Sequence, residues 1–401
     1  MKSSFLRMRQ VTDVMKSICF YSTSWRGGDG WYTHGFAEGL ANAMRSKGYS
    51  LIFLASPMQP QEREAKSENL IRYNFRPGHS SEWSRIHKVF HMVMRIVEAT
   101  YNLIKIRFET SVFVVTFPHW LSVTMFQFMV LKLTGAKIIY IVHDPLPHAW
   151  SLPKLFRNFE MACIASTYYL ADQLVTLTKS GNTVLKEQFG VKNNRLSVVP
   201  HGVFDSGKAE PLKNNRKFLI FGMLRSNKCI LESIKAFKNL LITVPDAKLV
   251  VAGAPYSAEP EYWAECEKAL SDLGSSVTTE IGFVEESRLE TLFAECDAVL
   301  LPYKNFNSQS GVAVLAALSM RPVIGTSMGG IAELFETGMC GIPLIDPPDE
   351  TSIVNAMLDF CSQPVSEWKN KTIESRQKLL NSLSWQAIGD AFCKIIFTNS
   401  D

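Results

Sequence analysis

Short apolar runs alternate with longer amphipathic stretches along almost the whole chain. In the first half the runs are Ile18 to Thr23, Ser50 to Ala55, Val112 to Phe117, Ala136 to Val142, Gln173 to Leu177 and Leu196 to Val199. They show little polar alternation, the signature of parallel strands covered on both faces. Between them the apolar residues recur at helical spacing. Tyr32 to Lys47 places Phe36, Leu40, Ala43 and Met44 on one face and stops at Gly48. Ser84 to Phe108, Leu121 to Leu133, Leu152 to Leu170 and Gly181 to Phe189, closed by Gly190, also read as helices. Pro57 to His79 is polar and irregular and predicts no element.

The segment from Asp205 to Lys217, rich in Lys, Asn and Gly with Pro211, reads as a linker. The series then restarts. Strands are expected at Phe218–Phe221, Lys248–Ala252, Thr278–Phe283 and Ala298–Leu301, and helices at Ile230–Leu241, Tyr262–Leu273 and Arg288–Glu295. The tail from Ser366 to Phe397 is mainly helical. Strand–helix alternation at these lengths implies α/β architecture with parallel sheets, and 401 residues is long for one core. Two Rossmann-like units are therefore expected.

The densest stretch of chemistry is Leu301 to Leu334. A buried strand closes at Pro302, a polar loop runs from Lys304 to Ser310, and a small-residue helix occupies Gly311 to Met320. Pro322 to Gly325 is a second short strand, and the Met328-Gly329-Gly330 turn opens a further helix at Ile331. The helix start at Ser308, Gln309, Ser310 and Gly311 presents unpaired backbone N–H groups, with no Cβ at Gly311 to block approach. Such a terminus attracts a diphosphate, although an ordinary capped helix has the same pattern. Arg225 and Lys228, three positions apart at another strand-to-helix turn, are placed to clamp the same group. Taken alone they also describe solvated surface charges.

Two further loops follow strands in the first half. The Gly27-Gly28 turn with Asp29 is permissive enough for close approach to a ligand, but it is not a dinucleotide fingerprint. His143-Asp144-Pro145-Leu146-Pro147-His148 lies past the carboxyl end of a strand, where α/β proteins build sites. A histidine there can donate to a sugar hydroxyl or phosphate, and an aspartate can take a proton from an alcohol.

Charge sharpens this picture. Residues 1–200 carry a net charge of +11 and residues 201–401 one of −7, behind an overall value of +4. A basic first half points to an anionic partner such as lipid headgroups or a pyrophosphate. Its focus is the 84–108 helix, where Arg85, Lys88, Arg95, Lys105 and Arg107 mix with Ile86, Val89, Phe90, Val93 and Val97. That pattern suits an anionic membrane surface, and equally a helix with one face packed on a sheet. Aromatic residues do not interleave with basic runs, so nucleic acid is not expected as a partner. The eight cysteines form no CxxC pair, which argues against zinc or a disulfide framework and fits a reducing, cytoplasmic setting. The first residues lack the apolar core of a secretory signal, and Pro118 and His119 divide the uncharged 110–131 stretch into a strand and a helix rather than a membrane span.

The segments FGMLRSNKCILESIKAF, KLVVAGAP, IGFVEESRLETLFAECDAVLLPY, SGVAVLAALSMRPVIGTSMGGIAEL and SWQAIGDAF together resemble the GT-B glycosyltransferases, in particular family 4. The likeness covers most of residues 196–397 and is weaker at Gly27-Gly28, IVHDPLPH and VVPHGVF. It implies two Rossmann-like domains facing a cleft: residues 1–205 for the acceptor, 206–375 for a nucleotide sugar, and a C-terminal helix within 376–401 crossing back. By the same resemblance, Arg225 and Lys228 match the cations on the donor diphosphate. Phe283 and Val284 match the rest for the base, Ser310, Gly311 and Val312 the helix start under the phosphates, and His143 the position near the reacting sugar carbon. The pattern departs at Asn307 and Leu315, where the family places two glutamates, and at Met320 and Cys229, where glycine is usual.

The expected activity is transfer of a sugar from a nucleotide diphosphate such as a UDP- or GDP-sugar to a hydroxyl. The acceptor would be a glycan or a polyprenyl-diphosphate-linked sugar in bacterial polysaccharide assembly, met at the inner membrane face through the basic first half. No Asp-x-Asp cluster suggests a metal and no cofactor is expected. Inversion would need a carboxylate base, Asp144 or Asp29; retention would instead have His143 orient the donor. A sugar-nucleotide epimerase and a non-catalytic sugar-nucleotide-binding homologue are the rivals.

Overall fold

A computed structural model describes residues 16–58, 64–78, 83–119, 121–146, 154–203 and 209–398. Pro147, His148, Leu152, Phe204, His79 and the beginning of the expected linker at Asp205 lie outside the described residues.

The apolar runs form two parallel sheets. The first has seven strands, β1 (Lys16–Ser22), β2 (Tyr49–Ala55), β3 (Leu70–Asn74), β4 (Val112–Thr116), β5 (Lys137–Val142), β6 (Gln173–Thr176) and β7 (Leu196–Val198), in the order 3-2-1-4-5-6-7. The second has six, β8 (Lys217–Phe221), β9 (Lys248–Gly253), β10 (Val277–Ile281), β11 (Ala298–Leu301), β12 (Val323–Thr326) and β13 (Gly341–Leu344), in the order 10-9-8-11-12-13. Register sets Cys19 beside Ile52 and Phe113, and Phe218 beside Leu249 and Ala298. Both orders reverse direction after their founding strand, β1 or β8. The crevice beyond the strand ends at such a reversal is where open α/β sheets bind ligands.

Helices cover both faces. Around the first sheet lie α1 (Gly27–Arg45), α2 (Arg85–Arg107), α3 (Leu121–Leu133), α4 (Arg157–Leu170) and α5 (Lys179–Phe189). The second carries α6 (Ile230–Thr243), α7 (Pro260–Ser271), α8 (Glu286–Glu295), α9 (Gly311–Leu318), α10 (Gly329–Thr337) and α11 (Glu350–Ser362). Local chemistry sets many ends. Ser84 caps α2 by accepting from the His87 amide at 3.4 Å, and Gly190 closes α5 at φ 64°. Arg321, fully buried after α9, spends its guanidinium on the carbonyls of Phe293, Ala294 and Glu210.

Four elements differ from the sequence expectation. β3 lies within the segment read as irregular; it is an edge strand with half its side chains wet, so its apolar pattern is thin. β13 and α11 fill a stretch for which no element was expected. The helix expected from Tyr32 begins at Gly27, so Gly27 and Gly28 belong to its first turn. Glycine disfavours helix by propensity, which hides this turn in the sequence; the close packing is one residue on from Asp29, where a Cβ on Gly30 would lie 2.9 Å from the Trp25 carbonyl carbon.

The chain returns to its first sheet. α12 (Val365–Leu383) leads to α13 (Trp385–Thr398), which packs along α1. Val203 N–H donates to the Leu383 carbonyl at 2.8 Å, and Phe36 meets Phe392 edge-on at 4.9 Å. The crossing depends on two glycines. A Cβ on Gly39 would come 2.0 Å from the Trp385 carbonyl oxygen, and one on Gly389 would come 2.2 Å from the Gly39 oxygen. Gly39→Ala is therefore expected to destabilise the protein by about 1–3 kcal/mol, the cost of overpacking against backbone. Denaturant unfolding with limited proteolysis of the C-terminal helix measures it, and an unaltered midpoint would refute the close crossing.

Candidate functional site

The second sheet builds an anion cradle at its reversal. Gly222 leaves β8 at φ 107° and Gly253 leaves β9 at φ 137°. A Cβ on Gly253 would lie 1.9 Å from the Gly222 oxygen, so the two loops run backbone against backbone. A 3-10 turn, Ser226–Lys228, then swings Lys228 back over Gly222: a Cβ there would sit 2.9 Å from the Lys228 Nζ and 3.8 Å from the Val312 Cγ2. Cys229 follows at φ 52°, a left-handed conformation that favours glycine. Met320, after α9, is likewise left-handed at φ 56°. These are the two positions where the resemblance implies glycine.

Lys228 is 8% exposed, with its Nζ 5.2 Å from the centre of the Tyr303 ring. Burial, then the neighbouring Arg225 charge, pulls its ammonium down to about 8. The Arg225 Nε is buried without a hydrogen-bond partner among the described residues. Among the described residues no carboxylate forms an ion pair with either cation, whereas the nearby Lys304 pairs with Glu232 at 2.7 Å. α9 begins beside them: Ser310 Oγ accepts from the Ala313 amide at 3.2 Å, and a Cβ on Gly311 would meet open space. Two like charges, one buried, next to a helix N-terminus make an arrangement that an anion stabilises.

Phe283, in the loop after β10, is 92% exposed, while Val284 packs partly into the core. Leu315 also packs partly into the core, in the second half of α9. The Asn307 side chain is exposed, and its carbonyl accepts from the Thr178 and Ser180 hydroxyls of the first sheet's α5 start, both at 2.9 Å.

The first sheet supplies a second cluster. His143, just past β5, is held by Thr116 Oγ1 at 2.8 Å from its Nε2, stacks on Phe117 at 3.8 Å, and takes the edge of Tyr32 at 4.5 Å. His201 and Trp385 continue this aromatic box around Tyr32, at 4.8 and 5.4 Å. Burial, helped by His201 and opposed by Asp144, depresses the His143 imidazolium to about 3. The ring is therefore neutral near pH 7 and can donate or accept one hydrogen bond. Asp144 is exposed, and its Oδ1 accepts from Ser308 Oγ at 2.5 Å. Asp29 stands in the first turn of α1, where partial desolvation among neighbouring groups and then the Asp144 charge raise its carboxyl. At Gly27 and Gly28 a Cβ would meet nothing within 4 Å.

Thus Arg225, Lys228, Ser310, Gly311 and Val312 gather at one crevice, and Asp29, His143 and Asp144 at the other. Ser308, two residues before the α9 cap, joins the two through Asp144. Phe283 and Val284 sit on the adjoining strand end. Further contacts tie the sides: the Lys179 amide donates to Glu333 at 2.7 Å and its ammonium pairs with Glu336 at 2.7 Å. Sequence reasoning missed Tyr303, Thr116, the Ser308–Asp144 bond and the aromatic box. Tyr303 directly follows the strand-closing Pro302 and was findable. The partners of His143 come from separate strands and from the C-terminal helix, and leave no local spacing. Among the described residues no cluster of His, Cys, Asp and Glu could hold a metal, and all eight cysteines are free thiols.

Comparison with known proteins assigns most of the chain. The family model described as Glycosyltransferase Family 4 matches residues 34–205, and that described as Glycosyl transferases group 1 matches residues 215–363. A lipopolysaccharide 1,2-N-acetylglucosaminetransferase of Salmonella typhimurium is 26% identical over 212 residues, covering 49% of this chain and 55% of its own. A glycogen synthase of Mycobacterium tuberculosis is 23% identical over 229 residues, covering 56% and 54%. The chain thus spans about half the length of the curated relatives it matches. Among solved structures, Anabaena HepE in complex with UDP superposes with a TM-score of 0.67 at 16% identity, over 95% of this chain and 100% of its own. WaaG, a glycosyltransferase involved in lipopolysaccharide biosynthesis, gives 0.58 at 16% identity over 95% and 99%.

The depressed histidines set an acid limit. Between the ordinary value of 6.5 and the folded values, about 3 for His143 and about 4 for His34 and His119, the unfolded chain binds protons that the folded chain refuses. Stability therefore falls as pH drops below about 6.5. Melting temperatures should decline from pH 7 to 4.5, and His143→Gln should shallow that decline. An equal slope in the variant would contradict the buried neutral ring.

Proposed function

This chain belongs to the GT-B glycosyltransferases, with a family 4 first half and a group 1 second half, and on that premise we propose that it moves a sugar from a nucleoside diphosphate to an acceptor hydroxyl. The observation that carries the reading is the pair of cations without carboxylate partners at the start of α9. In this reading residues 1–205 hold the acceptor, 206–375 hold the donor, and the helix within 376–401 crosses back to the first unit. Transfer leaves a diphosphate behind, so the main demand is stabilisation of developing charge. Arg225, Lys228 and the amides from Ser310 to Val312 meet it within a dry crevice, and charge stabilisation of this kind does not depend on a metal. Phe283 and Val284 offer an apolar rest for the base, and Asn307 replaces a glutamate as a hydrogen-bonding group for sugar hydroxyls. A structural neighbour was crystallised in complex with UDP, which supports a nucleotide-linked donor.

His143, neutral and fixed by Thr116, Phe117 and Tyr32, positions the sugar rather than protonating it. Where the acceptor hydroxyl needs a base, Asp29 suits the duty better than Asp144, because its carboxyl is raised and Asp144 is engaged by Ser308.

The acceptor in this reading is a lipid-linked or glycan chain in polysaccharide assembly, met at the cytoplasmic face of a membrane. α2 supports membrane contact: Ile86 is 82% exposed and Phe90 62%, with Val93, Val97 and Tyr101 continuing the stripe beside Arg85 and Lys88. No described helix is long and apolar enough to cross a membrane.

Arg225→Ala should lower kcat/KM by about 10²–10³-fold, the cost of losing one charge-stabilising donor; steady-state kinetics with a UDP-sugar panel measures it, and unaltered turnover would remove Arg225 from the site. Asp29→Asn should lower kcat by at least about 10²-fold if the product inverts. NMR of the anomeric proton, with kcat unaffected and configuration retained, would instead assign the reaction to His143-guided displacement without a base. In flotation assays the protein should rise with anionic vesicles and not with neutral ones, and 0.5 M salt or Phe90→Glu should weaken the association. Sedimentation free of anionic vesicles would exclude this contact.

A further inference from the structure

A second cavity, of about 250 Å³, opens on the first sheet between α2 and the loop that leads into α1. Trp25 and Arg26 form one wall, and His91, Met92 and Arg95 of α2 form another, with His119 beyond β4. Nothing in the transfer chemistry above uses it. Its charge is unusual. Arg95 is partly buried and bonds only to uncharged oxygens: the Arg76 carbonyl at 3.1 Å, the Thr23 carbonyl, and the Ser56 hydroxyl at 3.4 Å. No carboxylate pairs with it among the described residues. The acid of α2, Glu98, is held instead by Arg76 in a pair at 2.5 Å. Arg26 stands at the mouth, its guanidinium 4.8 Å from the Trp25 ring.

Neutral donors complete the lining. The His119 Nε2 is buried and has no hydrogen-bond partner among the described residues. Burial, then the Arg95 charge, holds that ring unprotonated near neutral pH. The Trp25 indole lies against Gly78, where a Cβ would fall 2.6 Å from the indole Nε1. A glycine beneath an indole fixes the ring as a wall, a surface on which sugar rings stack.

From this we propose that the cavity binds the phosphate or diphosphate of the acceptor, with Arg95 and Arg26 on the charge and Trp25 against the attached sugar. The inference rests on the glycosyltransferase reading and names the acceptor class for it: a phosphorylated saccharide. Trp25 and Arg26 belong to the loop that continues into Gly27, Gly28 and Asp29, so an acceptor anchored here presents its hydroxyl toward the α1 start. α2 is shared: His91, Met92 and Arg95 face the cavity while Ile86, Phe90, Val93 and Val97 stay exposed. A phosphate carried on a lipid or on a soluble sugar presents the same chemistry to Arg95.

Calorimetry with inorganic pyrophosphate tests the proposal on the Arg225→Ala/Lys228→Ala chain, whose donor cradle is disabled. Pyrophosphate should bind that chain. Adding Arg26→Ala, at an exposed position, should weaken binding at least tenfold, and Arg95→Gln should do the same, with the fold of both variants checked by melting. Gly78→Ala should weaken glucose 1-phosphate at least fivefold and leave pyrophosphate within twofold. Farnesyl diphosphate binding at least tenfold tighter than glucose 1-phosphate would assign the source to a lipid, and equal affinities to a soluble sugar phosphate; either supports the site. Absence of pyrophosphate binding, or binding indifferent to both Arg26→Ala and Arg95→Gln in folded protein, overturns it. UDP binding by the otherwise unaltered chain separates the two readings, since its loss would sink the donor site whatever the cavity does.

Discussion

The crevice of the second sheet exists because two backbones touch. Gly253 presses on the Gly222 carbonyl, and only the absence of side chains at both positions lets the loops after β8 and β9 close up. That contact leaves room above Gly222 for the Lys228 ammonium, which would collide with any Cβ there. A buried cation without a counter-charge is costly, and a second cation beside it costs more. The lowered Lys228 value is the trace of that cost. The adjacent helix start does not relieve it, since its dipole is also positive toward the crevice. The arrangement is a standing electrostatic deficit that an anion would offset.

The opposite crevice works by restraint rather than charge. His143 is fixed by a hydroxyl, a stacked phenyl ring and a tyrosine edge, and its environment removes its proton. A neutral, immobile imidazole favours direction of a hydrogen bond over proton transfer. Trp385 belongs to the same aromatic box and comes from the last helix, so the α1–α13 crossing stabilises the box as well as the fold. The Asp144–Ser308 bond and the Lys179–Glu333 bond hold the two crevices face to face.

Resemblance and geometry meet at particular residues. Cys229 and Met320 keep the left-handed backbone that glycine would adopt more easily, so the loop shape survives the loss of the residue type. Leu315 is different: it packs partly into the core and cannot hydrogen-bond a ribose, so the proposed donor site has to rest on other groups.

The sequence by itself determined the α/β class, most strands of both series, the long basic helix, and the strand–turn–helix neighbourhood of Arg225, Lys228 and the α9 start. These are local: a buried parallel strand is continuously apolar, and a phosphate site on a strand–turn–helix unit draws its groups from neighbouring positions. Tertiary structure decided the rest. Edge strand β3 was illegible because half of it faces water, and the helical state of Gly27 and Gly28 because glycine's low propensity argues against it. The ring contacts that fix His143, the bond that turns Asp144 toward Ser308, and the uncharged oxygens that hold Arg95 arise between segments far apart in the chain. Burial and counter-charge belong to three-dimensional neighbours, and no spacing along a sequence records them.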